Sequence, residues 1–292
     1  MANTVVAACQ VAVDVEHRST AAVEAAVARA AGLGATLIVL PEQCVAGFAF
    51  TDAAEARAAA ESVDGPTVRL LRRLSAEHRV VLVGGYVEQG DDGRLYNSAV
   101  LVQDGDLLHS YRKVHLWGEE VRWFTPGTEP PVAVDTRAGR VAMMICYDLE
   151  LPEWPRLAAL DEADIIVAPC NWPLLDRPAT ERPLEIIRAQ AAAGTNKVYV
   201  VVADRCGPER GIDWIGGSAI VADTGYLLAG PATAHGEPAR PTVLTAELDL
   251  ELARDKTIGP HNDALADRRP TLYQRLSDPQ GPEPVEGPDP GS

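Results

Sequence analysis

Three apolar segments in the first half of this chain recur, in the same order, in the second half. Val5-Val-Ala-Ala-Cys9 matches Ala142-Met-Met-Ile-Cys146. Leu37-Ile-Val-Leu-Pro-Glu42 matches Ile165-Ile-Val-Ala-Pro-Cys170. Asn97-Ser-Ala-Val-Leu-Val-Gln-Asp-Gly105 matches Gly217-Ser-Ala-Ile-Val-Ala-Asp-Thr-Gly225. Each pair reads as a buried strand. Matched strands with a helix or two between them, twice over, predict two similar sheets packed together with helices outside.

The intervening periodicity supplies those helices. Ser19 or Thr20 opens one that runs to about Ala31, with Val23, Ala26, Val27 and Ala30 on one face. Asp52-x-x-Glu55 has the spacing of a capping box. Gly65-Pro66-Thr67 starts a helix with Val68, Leu71 and Leu74 inward. Pro152 to Leu160 and Thr180 to Ala193 are expected helices, the second closed by Gly194. Strands are expected over 80–87, 96–103 and 107–112, with Asp104-Gly105 as a hairpin turn, and over 198–203, 217–222, 226–228 and 242–248. Residues 1–276 are expected to form the folded domain, and the Pro-, Gly- and acid-rich stretch 277–292 a disordered tail.

Composition excludes several function classes. A net charge of −16 argues against nucleic-acid binding, which needs a basic footprint. No apolar run approaches the ~18 residues of a membrane span. The opening residues lack the pattern of a signal peptide. Five dispersed cysteines (Cys9, Cys44, Cys146, Cys170 and Cys206), with no C-x-x-C pair and no His cluster at metal spacing, point to a reduced, cytoplasmic protein without metal or cofactor. Gly84-Gly85 reads as a close-packing or turn feature, since no phosphate-loop pattern surrounds it.

Three reactive side chains each follow directly on an expected strand: Glu42, Lys113 and Cys146. Strand ends in such sheets hold side chains firmly where ligands bind. Cys146 ends the apolar run 141–145, and Tyr147, Asp148 and Pro152 after it are turn and helix-start residues. Free backbone N–H groups at such a junction favour an anion and are expected to lower the thiol pKa. Together the three residues supply a general base, a cation for a tetrahedral oxyanion, and a nucleophile, the requirements of acyl transfer through a thioester.

Around these residues the sequence resembles the nitrilase superfamily of carbon–nitrogen hydrolases, from Val5 to about Leu276. Leu40-Pro-Glu42 is similar to the family's glutamate motif. Tyr111-Arg-Lys-Val-His-Leu116, with Glu120, Phe124, Pro126 and Gly127, is similar to its lysine motif. Cys146-Tyr-Asp-Leu-Glu-Leu-Pro-Glu153 is similar to its cysteine motif, and 262–273 to the C-terminal segment of many members. The resemblance implies a four-layer αββα sandwich, commonly paired as a homodimer. It also implies Glu42 as base, Lys113 as oxyanion partner, Cys146 as nucleophile, and Glu120 as a second glutamate positioning substrate or lysine. The Tyr147 N–H would complete the oxyanion hole. Asp148 and Glu153 fit a structural task, bonding turn amides and arginines.

The expected substrate is a small linear amide, cleaved to an acid and ammonia. Members that take N-carbamoyl amino acids tend to carry an arginine shortly after the nucleophile. Leu149-Glu150 stands there instead, which disfavours an acidic substrate and leaves room for a neutral or amine-bearing one. Trp117, Asn171 and Trp172 are expected to wall the pocket, and the stretch from Asn171 to Asn196 is similar to members acting on aliphatic amides. Nitrile hydrolysis, carbamoyl hydrolysis and a non-catalytic binding protein of the same fold are the alternatives.

Overall fold

The computed structural model describes residues 4–278 except 17, 19, 179, 180 and 235. The possible cap at Ser19, the helix start at Thr180 and nearly all of the acidic tail therefore lie outside the described residues. The first half comprises β1 (Thr4–Ala12), α1 (Thr20–Gly32), β2 (Leu37–Val39), α2 (Ala53–Ala59), α3 (Pro66–His78), β3 (Val81–Gln89), β4 (Leu95–Gln103) and β5 (Asp106–Arg112). The second comprises β6 (Ala133–Thr136), β7 (Gly139–Met143), α4 (Glu153–Leu160), β8 (Ile165–Pro169), α5 (Leu184–Asn196), β9 (Tyr199–Ala203), β10 (Arg205–Cys206), β11 (Ala219–Val221) and β12 (Leu227–Ala229). β13 (Thr242–Leu248) and α6 (Leu250–Arg254) follow.

The two sheets repeat one topology. In the first, β1, β2 and β3 run parallel, β4 and β5 return antiparallel, and β13 lies antiparallel on the outer edge of β1. In the second, β7, β8 and β9 run parallel, β11 and β12 return antiparallel, and β6 lies antiparallel on the outer edge of β7. All three segment pairs fall on matching strands. Register corrects one of them by two residues. Val6 lies opposite Leu37 and Val141 opposite Ile165, so the counterpart of Cys146 is Val11 and not Cys9.

Alternation explains why the strands are apolar on both faces. Val6, Ala8, Leu37, Val39, Val81 and Val83 point between the sheets, into a core shared with β7, β8 and β9. Ala7, Cys9, Ile38, Leu40 and Leu82 point outward, under Val23, Val27, Val68 and Leu71 of α1 and α3. Ala158 and Ala159 of α4, with Ile186 and Ala189 of α5, cover the second sheet. A strand buried on both faces has no polar side, and the layers are helix, sheet, sheet, helix.

Two helix ends differ from the sequence expectation. α5 begins at Leu184, after Pro183, whose extended ψ of 137° places it outside the helix. It also runs past Gly194 to Asn196 and ends on Lys197 in the left-handed conformation. Gly194 serves packing: a Cβ there would approach the Thr224 carbonyl to 3.2 Å and Gly225 Cα to 3.4 Å.

Candidate active site

Strand ends bring the expected residues together. Glu42 lies just beyond β2, Lys113 follows β5, and Cys146 opens a 3-10 turn (Cys146–Glu150) just past β7. A second 3-10 turn, Gly118–Arg122, carries Glu120 inward. Lys113 Nζ donates to Glu42 Oε1 at 2.8 Å and to Glu120 Oε2 at 2.6 Å. All three side chains are buried. The Trp117 amide also donates to Glu120 Oε2 (2.9 Å), which fixes that carboxylate. Gly127 supports the lysine from behind. Its N–H donates to the Lys113 carbonyl at 2.8 Å, and a Cβ would come within 2.9 Å of Arg112 C.

Asn97 completes this cluster, a residue that the sequence analysis placed only in a strand. Its Nδ2 donates to Glu42 Oε1 (2.6 Å) and to Glu120 Oε1 (2.5 Å), so one amide nitrogen holds two carboxylates. The available signal was an amide side chain beside Ser98 at the head of the apolar run 99–102. Asn171 makes the corresponding link to the thiol. Its Nδ2 donates to the Glu42 carbonyl (3.0 Å), and its own carbonyl lies 4.0 Å from Cys146 Sγ.

Asp148 welds the cysteine turn to the lysine segment. Its carboxylate accepts from the Ile145 amide (3.1 Å), Tyr111 Oη (2.8 Å) and the His115 amide (2.9 Å), and contacts His115 Nδ1 at 2.7 Å. Residues on both sides of Lys113 are thus tied to the turn that bears Cys146. Asp148 bonds turn amides as expected, but its side-chain partners are Tyr111 and His115 instead of arginines. Glu153, expected to share that task, is exposed in the first turn of α4. Cys146 itself has φ of 51°, the left-handed region that a non-glycine residue adopts only when its surroundings impose it.

The electrostatics differ from the sequence expectation at the thiol. Burial raises the Cys146 pKa, and the Glu42 charge adds to the rise. A hydrogen bond from Cys170 and the Lys113 charge offset only part of it. The Cys146 thiol is therefore neutral at rest. Burial likewise pushes Glu42 up to about 7, against the pull of Lys113 and with a further push from Glu120. Burial disfavours charge on Lys113, but Glu120 and Glu42 outweigh it and hold the pKa well above the ordinary lysine value. A permanent ammonium therefore stands beside a carboxyl that changes state near neutrality.

Cys146 opens on a cavity of about 360 Å³ walled by Trp117, Tyr147, Trp172, Pro173 and Ile215, with Glu150 and Arg188 in its lining. Trp117, Tyr147, Glu150 and Trp172, named as pocket residues from the sequence, are among the residues that line it. Asn171 lies behind the wall, 1 % exposed, as do the fully buried Glu42 and Lys113. Glu150 is not a free carboxylate, since it forms an ion pair with Arg188 of α5. Burial still pushes its carboxyl up to about 7, in spite of that guanidinium. No group of His, Cys, Asp and Glu among the described residues has the geometry of a metal site. No helix among them is long and apolar enough to cross a membrane.

A sandwich of two like sheets, with a buried thiol beside a lysine held by two carboxylates, defines a hydrolase working through a cysteine. The comparisons narrow that class. The sequence model of carbon-nitrogen hydrolases matches residues 4–256. A nitrilase of Pyrococcus abyssi is 37% identical over 243 residues, covering 83% of this chain and 87% of that one. An (R)-stereoselective amidase of a Pseudomonas species is 33% identical over 80% of this chain and 79% of its own length. A mutant of the amidase from Nesterenkonia sp. AN1, 26% identical, superposes with a TM-score of 0.74 over 94% of this chain and 99% of that one, and its structure shows the result of Michael addition of acrylamide at the active-site cysteine. The chain belongs to the carbon–nitrogen hydrolase family.

Proposed function

We propose that this protein hydrolyses a short, uncharged carboxamide to the carboxylic acid and ammonia, through a thioester on Cys146. The observation that carries this reading is the buried Lys113, bonded to Glu42 and Glu120 beside a neutral thiol. Relatives named as amidases support the reaction class, and the Michael adduct of acrylamide on the active-site cysteine of the mutant Nesterenkonia amidase supports a nucleophilic thiol.

In this mechanism Glu42 takes the thiol proton as Cys146 Sγ attacks the amide carbon. The carbonyl oxygen becomes an oxyanion held by Lys113 Nζ and the Tyr147 N–H. An ammonium has three donors and two are given to carboxylates, so one remains for the oxyanion. Glu42 returns its proton to the nitrogen, the C–N bond breaks, and ammonia leaves. Glu42 then deprotonates a water that attacks the thioester, and the acid departs as the thiol is regenerated. A carboxyl with pKa about 7 suits this double role, since it gives and takes a proton near neutral pH. Glu120 and Asn97 act as positioning residues for Lys113 and Glu42.

The apolar wall of Trp117, Tyr147, Trp172 and Ile215 favours an aliphatic or aromatic acyl group without charge. The sequence offered Glu150 to an amine-bearing substrate, but its partner is already Arg188. Nitrile hydrolysis is the second reading, favoured by the 37% identity to the Pyrococcus nitrilase. Ammonia release from propionamide and from propionitrile separates the two, and preferential turnover of the nitrile would overturn the first. We also propose a homodimer. Leu157, Leu160, Leu184 and Ile187 expose large apolar side chains on α4 and α5, which pack against each other.

A further inference from the structure

We infer that the Glu150–Arg188 pair is the charge filter of the pocket, admitting uncharged amides because each member occupies the other. The inference rests on the amidase reading above and names the residues that set its substrate class.

Glu150 sits on the same 3-10 turn as Cys146, four residues on, and Arg188 reaches the cavity from α5. The Glu150 side chain is 10% exposed and that of Arg188 40%. The carboxylate is thus fixed on the turn that carries the nucleophile, and the guanidinium is the member with access to water. Above about pH 7, where its carboxyl is ionised, leaving Glu150 buried and unpaired is costly, so it holds Arg188. An acidic substrate would have to win Arg188 from Glu150 while lying against that carboxylate. A substrate ammonium would have to displace Arg188 and lie against the guanidinium. Apolar groups meet neither cost.

The remaining charged groups of the wall are Asp176, Arg177 and Glu185. Glu185 is one helical turn before Arg188 on α5, and its charge already acts on Glu150. As a carboxylate one turn away on the same helix it can take Arg188 over once Glu150 is removed, so the test includes its removal.

The experiment, run at pH 8 so that Glu150 is ionised, compares kcat/KM for three amides of similar length: butyramide, succinamate and β-alaninamide. The wild type favours butyramide. In Glu150→Ala, or in Glu150→Ala with Glu185→Ala, the freed Arg188 raises the succinamate-to-butyramide ratio by about tenfold or more, the worth of one charge-assisted hydrogen bond. Arg188→Ala raises the β-alaninamide-to-butyramide ratio instead. The same ranking is expected for equilibrium binding in a Cys146→Ala background, which reads the filter in variants whose turnover is slow. Ratios that stay within about twofold of wild type in both assays, where a freed charge is worth tenfold, overturn the inference. Wild-type protein that releases ammonia from no amide overturns the amidase reading, whatever the variants bind.

Discussion

Glu42 shares one buried cluster with a second carboxylate and a single ammonium, so the group as a whole carries no net positive charge. Burial pushes Glu42 up to about 7, and this gives two signs to test. As a base it acts only when ionised, so kcat/KM for a neutral amide should rise with pH through about 7 and be lost below it. Linkage gives the second sign. The folded pKa lies above the unfolded one, so stability from this proton is present at pH 4 and is lost as pH rises through about 7. Glu42→Gln should therefore abolish turnover, yet gain melting temperature relative to wild type at pH 8 and less, or none, at pH 5. Equal changes at both values would contradict the assignment. Asn97 offers a second test, since its one nitrogen spaces both carboxylates. Asn97→Ala should lower kcat by about a hundredfold through misplacement of those groups, with folding checked by circular dichroism. Glu42, Lys113 and Cys146 were legible in the sequence because reactive residues at strand ends stand out against apolar runs. Asn97 was not, because a mid-strand position says nothing of what lies across the sheet. The raised thiol pKa was also hidden, because turn amides are visible in a sequence pattern and the depth of burial is not.

At the scale of elements, β3 shows how a strand positions the chemistry. Gly84 and Gly85 are adjacent but not equivalent. A Cβ at Gly85 would collide with the Gln43 amide nitrogen and come within 2.8 Å of Glu42 Cα, both backbone atoms. At Gly84 it would meet only side-chain ends, Leu71 Cδ1 at 3.0 Å, Leu40 Cδ1 at 3.3 Å and Cys44 Sγ at 3.4 Å. Gly85→Ala should therefore displace Glu42 and lose most activity, with an overpacking cost of roughly 1–3 kcal/mol. Gly84→Ala should keep most of its activity. Equal activity losses would show that Glu42 is not held by this approach. The sequence marked the pair as a packing or turn feature, and the structure supplies the partner. The start of α5 was less legible. Helical periodicity extends back toward Thr180, but Pro183 takes an extended conformation and the helix begins after it. Pattern alone does not distinguish a proline inside the first turn from one just before it.

Across the whole molecule, the repeat made the double-sheet architecture readable before any contact was known, because two like sets of apolar strands have to bury a face against each other. The repeat could not show where the halves cease to be alike. The position matching Glu42 is Cys170, whose Sγ donates to the Ala168 carbonyl (3.4 Å), so one strand end supplies the carboxylate and its counterpart a second thiol. Nor could it show the buried tie across the halves. Glu209 accepts from the Val15 (2.7 Å), Phe48 (3.2 Å) and Ala49 (3.0 Å) amides of the first half and from Arg205 Nη1 (2.7 Å) of the second. Arg205 also donates to the Val13 carbonyl and lies 4.2 Å from the centre of the Trp214 ring. Removing one member of such a pair strands the other. Glu209→Ala should lower stability by roughly 3–5 kcal/mol, read from urea unfolding, and a loss of under about 1 kcal/mol, typical of a surface pair, would contradict this role.

The central claim is that Glu42, Lys113 and Cys146 work as one catalytic unit. Ammonia release from one neutral amide, measured for Glu42→Gln, Lys113→Ala, Cys146→Ser and the triple variant, tests it most directly. Residues acting as a unit lose together, so each single change should cost on the order of 10³ or more in kcat and the triple variant little beyond that. Substantial turnover by Cys146→Ser, or losses that multiply from single to triple, would contradict the account.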